Sequence, residues 1–257
     1  MPFALITGAS KGIGKAMAFE LAAKGYDLAI VARSGELLQQ VKAEIEGKHK
    51  VKVEYLATDL STSTAASTVF NWASQNNFDI SVLVNNAGYG LSGAFESYPL
   101  EQHVNMLQVN CTTLVQLTYL FLPQLKKQTQ AYILNISSSS AYQAVPYLSL
   151  YAGSKAMVLL FTRGLRHELR KTSVSITCIS PGATDTEFNT RAQVGPKAMK
   201  AAKKVIMTPE QVGKIAIESM FKKKSEVVVG ALNKIGGFLA WLLPKKVVET
   251  TTANLYE

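Results

Sequence analysis

The chain has 257 residues and a formal net charge of +9, long enough for one sizeable core and basic enough to suit an anionic ligand. Charged residues make up 18% of it, which excludes a disordered polyelectrolyte, and there is no run of about 18 apolar residues to cross a bilayer. No nucleic-acid motif accompanies the positive charge, so nucleic acid is not an expected partner.

In chain order, short β-type runs alternate with stretches of helical period. Phe3–Thr7 reads as a strand, and Gly12–Lys24 as a helix with Ile13, Ala16, Met17 and Leu21 at helical spacing. Asp27–Ala32, Val51–Ala57, Val82–Asn85, Ala131–Ser137, Val174–Ile179 and Glu226–Val229 read as further strands. Between them Glu36–Glu46, Thr64–Gln75, Leu100–Lys127, Leu150–Arg170 and Pro209–Phe221 read as helices, the long one interrupted near Pro123. Strands rich in Val, Ile and Leu that alternate with helices imply a parallel sheet covered on both faces. The expected fold is α/β: a single Rossmann-type doubly wound domain over residues 1–257, with a predominantly parallel seven-stranded sheet and a core from about 3 to 230. The opening MPFALITGAS lacks the features of a signal peptide. Cys111 and Cys178 have neither metal nor redox spacing and read as free thiols. Both observations point to a cytoplasmic protein.

Thr7-Gly8-Ala9-Ser10-Lys11-Gly12-Ile13-Gly14 joins the first strand to the first helix. Glycines there permit a tight turn and let the backbone approach a pyrophosphate resting on the helix N-terminus. The second strand ends at Ala32-Arg33, where dinucleotide sites that select NAD carry an acidic residue for the ribose 2′-hydroxyl. With no carboxylate there, Arg33 matches a 2′-phosphate bidentately, and Lys11 adds a second cation from the facing turn. The expected cofactor is therefore NADP(H).

Tyr151 and Lys155 lie four apart on an expected helix and share a face. No other tyrosine of the ten has a lysine at that spacing. A free phenol titrates near pH ~10. An adjacent ammonium is expected to lower that value, so that the tyrosine can exchange a proton with an alkoxide or alcohol. Upstream, Ser137, Ser138, Ser139 and Ser140 offer a hydroxyl to the same oxygen. His49, His103 and His167 have no ligand partners at helical spacing, so no metal is expected, and no Gly-x-Ser-x-Gly elbow supports a hydrolase.

These residues, with Asp59, Asn85-Asn86-Ala87-Gly88, Asn110 and Pro181-Gly182, resemble the short-chain dehydrogenase/reductase family over about residues 3 to 230. The resemblance implies that Gly8, Ser10, Lys11, Gly12, Ile13, Gly14, Arg33, Asp59, Leu60, Asn86, Ala87 and Gly88 bind the cofactor. Asp59 would contact the adenine, and Pro181, Gly182 and Thr184 the nicotinamide carboxamide. It selects Ser138 as the catalytic serine, with Ser137 and Ser139 as runners-up. Asn110 would hold a water in a proton relay to Lys155, and Tyr151 and Lys155 would also belong to the cofactor site, Lys155 by bonding the nicotinamide ribose. Tyr142, where the family often has glycine nearby, could line the substrate pocket or pack as a core aromatic.

Residues 183–208 form a long connection and are expected to act as a substrate lid, with Phe188, Val205, Ile206 and Met207 covering an apolar substrate. The basic Lys197–Lys204 stretch could meet the phosphates of an acyl thioester. Residues 231–257 are an apolar and basic extension. Its apolar stretch, Ala231–Lys246, could pack over the substrate mouth, form a subunit contact or lie on a membrane surface, in that order of preference. The activity expected is NADPH-dependent carbonyl reduction, or alcohol oxidation in reverse. The substrate would be a small molecule such as a 3-oxoacyl thioester, with small ketones or steroids as the alternative. A catalytically silent cofactor sensor is disfavoured because Ser138, Tyr151 and Lys155 are all present. Homo-oligomers, dimers or tetramers, are expected from the resemblance alone.

Overall fold

A computed structural model describes residues 1–188, 192, 194–202 and 206–256. Seven strands among them form one parallel sheet: β1 (Phe3–Thr7), β2 (Asp27–Ala32), β3 (Val53–Ala57), β4 (Ile80–Asn85), β5 (Ala131–Ile136), β6 (Val174–Ser180) and β7 (Glu226–Val228), in the order β3-β2-β1-β4-β5-β6-β7. The doubly wound Rossmann-type architecture expected from the alternation is the one observed.

Alternate residues of each strand feed opposite faces, as the period of two requires. Ala4, Ile6, Leu28 and Ile30 pack under α1 (Gly12–Ala22) and α2 (Gly35–Glu46). Phe3, Leu5, Ala29 and Val31 belong to the cluster under α3 (Ala65–Gln75) and, further along the chain, α5 (Thr113–Lys127). Strand order reverses between β1 and β4, which opens a crevice at their C-terminal ends. A buried polar ladder ties the centre of the sheet to its flanking helices. Asn85 Nδ2 donates to Asn135 Oδ1 (2.9 Å) and Thr118 Oγ1 (3.1 Å), and Asn135 Nδ2 donates to Thr162 Oγ1 (2.9 Å). Asn85 is thus a strut of the sheet, and its neighbour Asn86 serves the turn.

The long helix departs from expectation. It is not broken at Pro123, which lies inside α5. The carbonyl that a residue 123 N–H would have bonded belongs to Tyr119, which is well exposed and can be satisfied by water. The irregularity falls earlier: α4 (Leu100–Leu107) passes into a π turn over Gln108–Thr112 before α5 begins. Single π turns inside helices mark functional sites, and this one carries Asn110.

α6 (Ser149–Glu168) follows β5. Between β6 and α8 (Pro209–Phe221), the long connection contains α7 (Pro196–Ala202). Its base is fastened: Asp185 N donates to Met207 O (2.9 Å) and Met207 N to Ala183 O (3.2 Å). Met207 packs against the α1 side of the core and Ile206 is exposed, so neither covers the crevice as expected; Phe188 does, and Val205 lies outside the described residues. Lys203 and Lys204 of the basic stretch also lie outside them. Beyond β7 the chain forms α9 (Ala231–Leu242) and α10 (Lys245–Tyr256). The large apolar side chains of α9 point away from the body of the protein, and so do not pack over the substrate mouth.

Candidate active site

A cleft of about 650 Å³ opens where β1, β4, β5 and β6 end. At its floor the glycine turn meets β4. Gly8 has φ +68°, and a methyl group on Gly14 would lie 2.1 Å from the Gly8 carbonyl oxygen, so the turn and the first turn of α1 close only with glycine at these places. Asn86 Nδ2 donates to the carbonyls of Thr7 (2.9 Å) and Gly8 (3.1 Å), holding that turn open toward the cleft. The rim on the other side carries Arg33 at the end of β2. Ser34 follows as the N-cap of α2, so an anion beside Arg33 would also face a helix N-terminus. Asp59, Leu60, Ser10, Lys11, Gly12, Ile13, Ala87, Gly88, Pro181, Gly182 and Thr184 all line the same cleft.

At the far end Tyr151 and Lys155 rise from one face of α6, both buried. Lys155 Nζ donates to the Ile136 carbonyl (3.0 Å) and sits 5.9 Å from the Tyr151 ring centroid. The three candidate serines separate by role. Ser137 Oγ donates to the Lys155 carbonyl (2.7 Å) and anchors α6, while the Ser139 N–H bonds Pro181 O (2.7 Å). Ser138 is the one of the three whose hydroxyl acts on the Tyr151 phenol, while its oxygen accepts from Ser140 N (3.2 Å) and Ser140 Oγ (3.0 Å).

The electrostatics differ from expectation. Burial pushes the Tyr151 phenol well above its ordinary value, the Ser138 hydrogen bond opposes this, and nearby Tyr256 adds to it. Burial likewise pushes the Lys155 ammonium down to about 8. Desolvation outweighs the opposing influence of Ser138 in this cleft, and no lowering by the Lys155 ammonium offsets it, so the phenol holds its proton at neutral pH.

Asn110 is the one expected site residue that does not reach the cleft wall. It is fully buried behind it, accepting from Tyr89 N (3.0 Å) and donating to Tyr89 O (2.9 Å) and Ser154 Oγ (3.0 Å). A methyl on Gly88 would lie 3.0 Å from Asn110 Oδ1 and 3.1 Å from Lys155 Nζ, so that glycine is the gap between the two. Tyr142 also leaves the cleft. Its hydroxyl donates to Glu226 Oε1 (2.6 Å), which is held by Arg163, so it is a packed and bonded aromatic and not a pocket residue. Among the described residues no group of acidic, His and Cys side chains could hold a metal ion.

Two contributors carry no local signal in the sequence. Tyr256 of α10 packs with Met106, Leu148 and Tyr151 and lines the cleft. Glu187, in the connection after β6, lies 2.5 Å from Lys11 Nζ across the cleft. Lys11 is thereby partly neutralised, which weakens its claim on a phosphate. Glu187→Ala should free it: NADPH affinity measured by fluorescence titration is expected to rise about two- to fivefold, the scale of an exposed ion pair, with NADH unchanged. Equal gains for both cofactors would remove the 2′-phosphate from the explanation.

The sequence pattern described as short chain dehydrogenase matches residues 2–196. A zebrafish (Danio rerio) very-long-chain 3-oxoacyl-CoA reductase, form B, is 33% identical over 191 residues, covering 73% of this chain and 61% of that protein. The chain thus spans under two thirds of that relative's length. A solved 7beta-hydroxysteroid dehydrogenase structure superposes with a TM-score of 0.88 at 26% identity, covering 98% of this chain and 96% of that one. A Sphingobium yanoikuyae short-chain dehydrogenase in complex with NADPH gives a TM-score of 0.82 at 27% identity, covering 94% and 95%. The matched family pattern, the β3-β2-β1-β4-β5-β6-β7 sheet and the serine–tyrosine–lysine cluster on its cleft agree, and this chain belongs to the short-chain dehydrogenase/reductase family.

Proposed function

We propose that this chain is a single-domain, NADPH-dependent carbonyl reductase acting on an apolar ketone of the 3-oxoacyl thioester kind. The observation that carries the reading is the convergence of Ser138, Tyr151 and Lys155 at one end of a cleft whose other end presents Arg33. When bound, the reduced nicotinamide supplies the hydride for the carbonyl carbon. Tyr151 then donates its proton to the carbonyl oxygen, and Ser138 bonds the same oxygen as charge builds on it. Lys155 sits beneath the phenol to bond the ribose and take part in resupplying the proton. Asn110 acts as a positioning residue, fixing Tyr89 and Ser154 and through Ser154 the first turns of α6.

Arg33, the adjacent helix N-terminus and the absence of a carboxylate at Ala32 support NADP(H) over NAD(H). The segment from 183 to 208 serves as the substrate lid in this reading, with Phe188 closing over Tyr151 at 5.2 Å between ring centroids. Cytoplasmic location and a homo-oligomeric state belong to the same reading. A panel of ketones, steroids and 3-oxoacyl thioesters, followed by loss of NADPH absorbance, tests it. NADPH should be preferred over NADH by about 10- to 100-fold in Kd, and Arg33→Ala should erase the preference. A parent protein indifferent between the two cofactors would sink the cofactor assignment.

A steroid or small ketone is the second reading, favoured by the likeness to the 7beta-hydroxysteroid dehydrogenase structure over nearly the whole chain. In both readings Tyr256 walls the apolar end of the cleft. Tyr256→Ala should raise KM for the best panel substrate about tenfold with kcat changed little, because its ring supplies apolar contact and no proton. A fall in kcat at constant KM would assign Tyr256 a chemical part instead.

A further inference from the structure

α9 is built the wrong way round for an ordinary surface helix. The residues it turns toward the body of the protein are small. The Asn233 amide lies so close to Gly182 that a methyl there would be 2.0 Å from Nδ2, and it donates to the Val229 carbonyl (2.7 Å). Gly237 faces the Tyr142 ring, and Ala240 is buried. These positions, four and three apart, form one narrow stripe. The large side chains Leu232, Ile235, Phe238, Leu239, Trp241 and Leu242 lie outside it, with exposures from 42% at Leu239 to 73% at Trp241. A surface helix normally buries such residues and turns polar ones to water. A contiguous exposed apolar face of this kind marks an interaction surface.

Charge decides what covers it. Between Glu226 and Glu249 the chain has three lysines, Lys234, Lys245 and Lys246, and no acidic residue. Lys245 caps the helix through the Ala240 carbonyl (3.1 Å), while Lys234, within the helix, and Lys246, just beyond it, are exposed. A second copy of this chain placed symmetrically on the face would set lysines against lysines, with no carboxylate from the patch to offset them. An anionic lipid surface offers acyl chains to the aromatic and leucine side chains and phosphates to the lysines. No helix among the described residues is long and apolar enough to cross a membrane, so the contact lies in the interface plane.

We propose that α9 docks this protein on the surface of an anionic bilayer, with Phe238, Trp241 and their apolar neighbours seated below the headgroups. The helix starts against Gly182 on the cleft wall, and α10, which follows it, carries Tyr256 into the cleft, so the docked face adjoins the site. The assignment stands whether or not the reductase reading does, since it rests on the outer face alone. It is tested by co-sedimentation of the full chain with vesicles of phosphatidylcholine alone and of phosphatidylcholine mixed with phosphatidylglycerol. The parent should bind the anionic vesicles at least about tenfold more tightly, and salt should weaken that binding. The double variant Phe238→Glu with Trp241→Glu should remain in the supernatant while keeping the parent's thermal midpoint and cofactor affinity. Three results would overturn the proposal: no parental binding to either vesicle, equal binding to both, or a solution dimer that the double variant dissociates in a protein that ignores vesicles. The last would assign the face to a second copy.

Discussion

Tyr151→Phe should lower kcat for carbonyl reduction by about 10²- to 10⁴-fold while NADPH affinity stays within about twofold. The substitution removes one oxygen from a ring that otherwise keeps its packing against Met106, Leu148 and Phe188, so the fold and the cofactor cleft are left standing. In the proposed reaction that oxygen is the proton donor, and the Ser138 hydroxyl, whose oxygen accepts from Ser140, supports it and does not replace it. Burial holds the Tyr151 phenol above its ordinary value, so it is protonated throughout the neutral range. Reduction by the parent should therefore be nearly flat from mildly acidic to neutral pH, and the reverse oxidation, which needs the phenol to accept a proton, should climb with pH. Stopped-flow measurement of NADPH oxidation under single turnover reads the chemical step directly. A Phe variant with parental single-turnover rate would remove Tyr151 from the reaction.

Lys155→Met should abolish turnover and yet stabilise the protein in the absence of ligands. Burial lowers the Lys155 ammonium from an ordinary 10.5 to about 8, which corresponds to a penalty of about 3 kcal/mol on its charged form in the folded chain. Methionine fits a similar volume without that charge. The hydrogen bond to the Ile136 carbonyl is lost, at about 1–2 kcal/mol. The net gain of about 1–2 kcal/mol should raise the thermal midpoint by about 2–8 °C at neutral pH. Below about pH 8 the lysine is charged in both folded and unfolded chains, and the penalty is complete. Between about 8 and 10.5 the folded chain releases the proton while the unfolded chain keeps it, so the penalty fades and the variant's advantage fades with it. Thermal melts at neutral pH and near pH ~10 test the trend. A variant less stable than the parent at neutral pH would mean that the ammonium is well solvated in its pocket.

Much of this protein is legible along the chain because the relevant physics is local. Period-two and period-3.6 patterns mark the strands and helices, so the alternation, and with it the parallel sheet, follows from spacing alone. The glycines of Gly8–Gly14 announce a close backbone approach, and the distance from a Gly14 methyl to the Gly8 carbonyl is the physical form of that announcement. Tyr151 and Lys155 share a helical face whatever surrounds them. Boundaries slipped where packing sets them: β4 begins at Ile80, earlier than its apolar run implies, because Phe3 of β1 pairs with Ile80.

What the tertiary structure decided is everything that depends on which distant surface covers a residue. Four consecutive serines are equivalent in sequence, and only the path of β5 into the cleft turns Ser138 toward Tyr151 and Ser137 toward the α6 backbone. Asn110 lies behind the wall because a π turn in the α4–α5 helix points it at Tyr89 and Ser154. Glu187 meets Lys11, and Tyr256 meets Tyr151, across separations that no local pattern encodes. The direction in which Tyr151 titrates was set the same way: the spacing to Lys155 promises attraction, but the depth of burial belongs to the assembled cleft, and desolvation is the larger effect there. For α9 the sequence by itself determines an apolar helix, while the stripe that faces inward was decided by the surface it meets: Asn233 lies against Gly182, Gly237 against the Tyr142 ring, and Ala240 is buried.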